Sequence, residues 1–101
     1  MQIPFPVQDE YPPYHYLSQV LAHCPTAGST YMMLWKDRNL QDDMVVLEKK
    51  KVCDQYMTTM AKFKNDMRQL AREHVINYDE SPDRFFIELT NWDEAQTHDS
   101  V

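Results

Sequence analysis

Residues 48–74 read EKKKVCDQYMTTMAKFKNDMRQLAREH, and this stretch decides the fold. Met60, Phe63, Met67, Leu70, Ala71 and His74 recur at steps of three and four. That spacing lays apolar groups along one helical stripe about 100° wide. Thr58, Ala61, Lys62, Asn65, Arg68, Gln69 and Arg72 fall on the opposite, outward face. Ahead of this helix, residues 49–56 predict a shorter one that buries Val52, Cys53 and Tyr56. Met57, Thr58 and Thr59 form the turn between them, with a threonine placed to cap the second helix.

Downstream, Phe85, Ile87 and Leu89 alternate with Phe86, Glu88 and Thr90. Residues 75–78 and 84–89 therefore predict two strands of a hairpin, with Asp79, Glu80, Ser81, Pro82 and Asp83 as its turn. Upstream, Met44, Val45, Val46 and Leu47 read as one short strand after a polar connection over residues 39–43. Residues 29–37 predict a helix burying Tyr31, Leu34 and Trp35, behind the break that holds Pro25 and Gly28. Leu17, Val20, Leu21 and Cys24 sit at i, i+3, i+4 and i+7, which predicts a helix over residues 14–23.

The organisation is an N-terminal arm over 1–13, one domain over 14–90 and an acidic tail over 91–101. The arm carries Pro4, Pro6, Pro12 and Pro13, with Ile3, Phe5 and Val7 alternating, and the tail offers Trp92 as an anchor. Tyr11, Tyr14 and Tyr16 are expected to pack on the core rather than to form an exposed patch. The fold class is mainly α with a small β-hairpin, an α+β domain.

A chain of 101 residues has room for one core. A mean hydropathy of −0.67 with 43% hydrophobic residues suits a soluble globular domain. Met1 to Pro6 has neither a basic start nor an apolar run, so no secretory signal is expected. Cys24 and Cys53 are isolated thiols, which points to a reducing cytoplasm. Ten Lys and Arg face sixteen Asp and Glu, a net charge of −6. Residues 48–74 hold seven cations and four carboxylates, a balance of +3 that leaves −9 for the rest.

The order helix, turn, helix, hairpin, carried by Lys49 to Cys53, Phe63 to Leu70 and His74 to Ile76, resembles the winged helix-turn-helix family. The likeness is to the variety found in bacterial, plasmid and phage transcription regulators and replication initiators, and it covers residues 29–90. It implies a sequence-specific DNA-binding protein, a transcriptional regulator or a replication-associated factor, bound to double-stranded DNA as a possible homodimer. By position, Thr58, Thr59, Ala61, Lys62 and Asn65 would read bases. Arg68, Gln69 and Arg72 would meet phosphates, with Lys49, Lys50 and Lys51 adding backbone contacts. The family's usual turn glycine is replaced here by Met57 or Thr58, and the hairpin tip is acidic, with one Arg84.

A solvated helix face explains the same polar residues without any ligand. A second class of function is an acidic interaction module, or a phage-type inhibitor, that docks Asp79, Glu80 and Asp83 on the basic surface of a nucleic-acid-binding protein. Enzymatic, cofactor and metal readings are weak. His23, Cys24 and Cys53 are too sparse for zinc, and His15, His23, His74 and His98 show no ligand spacing. His74 reads instead as a helix-end histidine capping carbonyls. A phosphate-binding loop needs more glycine than Gly28, and no carboxylate pair suits acid–base work.

Overall fold

A computed structural model describes residues 11–91. The arm's Ile3, Phe5 and Val7 and the tail's Trp92 lie outside the described residues. Pro13 opens the first helix, α1 (Tyr14–His23), its carbonyl accepting from the amides of Tyr16 and Leu17. α1 buries Tyr16 and Val20, whereas Leu21, expected inside, is exposed. The tyrosine cluster is thus divided: Tyr16 is core, while Tyr11 and Tyr14 face solvent. Cys24 leaves helical geometry ahead of Pro25, as residues preceding proline do. One turn of 3-10 helix (Pro25–Ala27) then leads into α2 (Gly28–Asp37). Gly28 permits the close approach of the two helices, since a Cβ there would meet Leu21 Cδ2 at 2.9 Å.

Thr30, Tyr31, Leu34 and Trp35 form the buried face of α2. Arg38 ends it: its guanidinium lies over the Trp35 ring at 3.8 Å and donates to the Trp35 carbonyl and to Asp43 Oδ1. The chain turns through Asp43, in the left-handed region at φ 58°, into β1 (Met44–Glu48). α3 (Lys49–Gln55) and α4 (Met60–Arg72) follow, then β2 (Ile76–Glu80) and β3 (Arg84–Leu89). The three strands form an antiparallel sheet in the order β1-β3-β2. β1 is therefore no isolated strand: Val45 pairs with Ile87 and Leu47 with Phe85.

α3 packs against β1 and α4 against β2, with Val45, Leu47, Phe85 and Ile87 of the sheet buried. Phe63 of α4 sits between Tyr56 and Phe85, with ring centroids 5.4 and 5.3 Å away. Met67, Leu70, Val52, Ile76 and Ile87 complete a core free of solvent. Asp66 is buried within the apolar stripe of α4, where sequence periodicity alone shows no charge.

Three local details differ from the expected ones. β2 runs on through Asp79 and Glu80, so the turn is only Ser81 to Asp83; Glu80 pairs with Phe85, which holds the strand extended. The Ser81 hydroxyl accepts the Arg84 amide and donates to Asp83 Oδ1. His74 is not on the buried stripe. It sits at φ 64°, exposed, just past the helix end. Its backbone amide, rather than its ring, caps α4 by donating to Ala71 O, while Val75 donates to Leu70 O, the left-handed helix stop usually built on glycine.

Candidate nucleic-acid interface

The turn between α3 and α4 does without glycine by placing Met57 at φ 51°. Thr59 is then the cap of α4, its Oγ1 accepting the Lys62 amide at 3.1 Å. A capped helix of thirteen residues presents Ala61, Asn65, Arg68 and Arg72 at i, i+4, i+7 and i+11, one straight exposed stripe. No carboxylate interrupts it. Lys50, Arg68 and Arg72 make no ion pair among the described residues.

The remaining candidates are engaged to different degrees. Lys62 reaches back across the helix flank, donating to Asp66 Oδ2 at 2.7 Å and to the Thr26 carbonyl at 3.1 Å. Asp66 also accepts from Thr30 Oγ1 at 2.7 Å, so this carboxylate ties α4 to α2. Lys49 donates to Glu80 Oε2 at 2.6 Å and lies 5.2 Å from the Phe85 ring centre. Lys64, half-buried on the other flank, reaches the same oxygen at 3.5 Å. Lys51 lies 3.7 Å from Glu48, exposed. Thr58 and Gln69 are half-buried, and Gln69 Oε1 is enclosed without a hydrogen-bond partner.

Two carboxylates are held below the ordinary range by these contacts. Glu80 is lowered first by its hydrogen bond from Lys49, then by the charges of Lys49 and Lys64, against the opposing effect of burial. Glu73, at the C-terminal end of α4, is lowered by hydrogen bonds from His23 and Gln19 and by the charges of His23 and His74. Gln19 Nε2 donates to both the side chain and the carbonyl of Glu73, which fastens α1 to the end of α4.

Of the three acids at the hairpin, Glu80 is thus committed to two lysines, and Asp83 is held by Ser81, its carbonyl accepting the Lys49 amide. Asp79 is exposed. Arg84, opposite Glu48 in the register, joins Lys50, Pro82 and Asp83 around a groove of about 360 Å³ beside the start of α3. Sequence reasoning missed two residues that shape this surface, Lys64 and Asp66. The signal for the second was present in the i, i+4 spacing of Lys62 and Asp66.

The described residues carry ten cations and eleven carboxylates, so most of the net −6 belongs to residues 1–10 and 92–101. No helix among the described residues is long and apolar enough to cross a membrane. Comparison of the chain with protein-family models, curated proteins and solved structures found no match.

Proposed function

We propose that this chain is a winged helix-turn-helix protein that binds double-stranded DNA sequence-specifically, as a transcriptional regulator or a replication-associated factor. The carrying observation is the exposed, carboxylate-free stripe of Ala61, Asn65, Arg68 and Arg72 along α4. The strand order supports the reading, because β1 joins the hairpin that follows the helix pair. A helix of this width fits a major groove, where Asn65 offers the donor–acceptor pair that adenine presents. Arg68 and Arg72, one turn apart, are placed for successive phosphates, with Lys50 and Lys51 at the start of α3 adding to them.

Lys62 and Lys49 are secondary contributors in this scheme, since each already holds a carboxylate. The acidic Asp79 keeps the hairpin away from phosphates, so α4 reads and the hairpin stands off. The competing role, docking of Asp79, Glu80 and Asp83 on a basic protein, is weakened because Glu80 is neutralised within the domain.

Binding is tested by fluorescence anisotropy with genomic duplex fragments at several salt concentrations. Four phosphate contacts, from Lys50, Lys51, Arg68 and Arg72, give a slope of log K against log salt of about −3.6. Arg68→Ala with Arg72→Ala should bring that slope to about −1.8. Asn65→Ala should narrow the preference between sequences with little change in slope. Absence of duplex binding at about micromolar protein in low salt refutes the proposal, as does an unaltered slope in the double variant.

A further inference from the structure

We infer that the acidic segment 92–101 folds back along α4 and occupies its Arg68 and Arg72, so that the chain screens its own DNA-reading face. The regulatory half of this inference rests on the DNA reading; the contact itself does not. Residues 92–101 read WDEAQTHDSV, with Asp93, Glu94 and Asp99 and no Lys or Arg. The chain enters this segment beside the helix. The Thr90 amide donates to the Val75 carbonyl at 3.0 Å, and the Val75 amide donates to the carbonyl of Leu70, in the last turn of α4. Asn91 therefore leaves the sheet next to the C-terminal end of α4, the end that carries Arg72.

The reach is sufficient. At about 3.3 Å per extended residue, Asp93 and Glu94 lie within about 7–10 Å of Asn91, and Asp99 within about 26 Å. The stripe is shorter, since Arg72 back to Asn65 spans about 10 Å of helix. Charge selects the two arginines. Both are exposed and make no ion pair among the described residues. The acids on α4 and beside it are engaged elsewhere: Asp66 with Lys62 and Thr30, Glu73 with Gln19 and His23, and Glu80 with Lys49 and Lys64. Asp54, exposed on α3, pairs with neither arginine. The carbonyls ending α4 carry negative partial charge, so the guanidinium groups and not the helix end attract the segment. The arm's Asp9 and Glu10 are less well placed. They precede α1, whose other end, at His23, is the one fastened to Glu73. Exposed ion pairs hold weakly, so the segment competes with phosphates instead of excluding them. Its covalent tether supplies an effective concentration of about millimolar.

The test uses the full chain carrying Asp93→Asn, Glu94→Gln and Asp99→Asn together, which removes charge and keeps length. In heteronuclear NMR without DNA, the Nε–H signals of Arg68 and Arg72 should move between parent and triple variant. Salt at about 0.5 M should bring the parent's signals to the variant's positions. Asp9→Asn with Glu10→Gln should leave them in place. By anisotropy at low salt, the triple variant should bind duplex about three- to tenfold more tightly than the parent. General repulsion between acids and DNA also predicts some gain, so a cycle with Arg68→Ala and Arg72→Ala separates the two. Occupied arginines predict that the gain falls below about twofold in that background, whereas general repulsion leaves it intact. Arginine signals that ignore the triple variant overturn the inference, as does a gain that persists without the two arginines. Signals that answer to Asp9→Asn with Glu10→Gln instead assign the stripe to the arm and overturn it too. If no variant binds duplex, the DNA reading and the regulatory role fail together, and the arginine signals alone decide the contact.

Discussion

Replacing Asp66 should cost this domain more than any surface substitution, because its carboxylate is 1% exposed and serves two elements at once. Thr30 Oγ1 and Lys62 Nζ both donate to it at 2.7 Å. Asp66→Ala strips the acceptor from Thr30, itself buried, and a hydroxyl enclosed without a partner costs about 1–3 kcal/mol. Lys62 is different, since its side chain is 49% exposed and returns to water when released. The loss is therefore dominated by the Thr30 hydroxyl and the vacated volume, about 3 kcal/mol in all. For a domain of this size that lowers Tm by roughly 12 °C or more. Lys62→Ala leaves Asp66 buried with Thr30 alone and should cost about 2 kcal/mol. The two effects should fall short of additive by at least about 0.5 kcal/mol in a double-mutant cycle. The assay is urea unfolding followed by circular dichroism, with unchanged m-values as the check on a common unfolded state. Additive losses, or an Asp66→Ala variant within about 0.5 kcal/mol of the parent, would refute the reasoning. The consequence for function is direct: a DNA-binding defect in Lys62→Ala does not by itself report a lost DNA contact, whereas one in Arg68→Ala does.

Met57 occupies left-handed backbone at φ 51° while 87% exposed, so Met57→Gly relieves strain and gives up no burial. It should stabilise by up to about 1 kcal/mol, and a lower Tm than the parent would show the turn to be unstrained. Glu73 and Glu80 have folded-state values depressed below the ordinary 4.5, so their contribution to stability is present above that pH and is lost as pH falls through the folded values. Thermal melts should show Glu73→Gln and Glu80→Gln less stable than the parent at neutral pH, with the gap closing in acid; a gap that widens on acidification contradicts this sign. Burial, then the charges of Glu73 and Asp66, pushes the Cys24 thiol up, whereas Cys53 is half-buried. One thiol should react readily with a disulfide reagent in the native protein and the other only on unfolding, and equal rates for both would count against the assigned packing.

Helix positions were legible because helical periodicity is local. Steps of three and four in residues 60–71 give the same stripe whatever packs against it, and Thr59 before Lys62 marks the cap with three residues. The alternation in residues 84–89 showed the hairpin for the same reason. His74 was misplaced by that logic, because a left-handed stop needs only a backbone amide and leaves no side-chain pattern when the residue is not glycine. The choice between Tyr16 and Leu21 for the core of α1 likewise depended on where α2 lay, which Gly28 settles through a contact made in space.

The site divides along the same line. That α4 has an outward face bearing Asn65, Arg68 and Arg72 follows from residue spacing alone. Which of the seven cations in residues 48–74 remain available follows only in part: Asp66 and Glu48 are helical neighbours of Lys62 and Lys51, but Glu80, which occupies Lys49 and Lys64, comes from the hairpin. Glu80 is 31 residues from Lys49, and Thr30 reaches Asp66 across 36. Charge in a sequence is a sum over neighbours in the chain, whereas an ion pair depends on which groups the sheet and helices bring within a few ångströms.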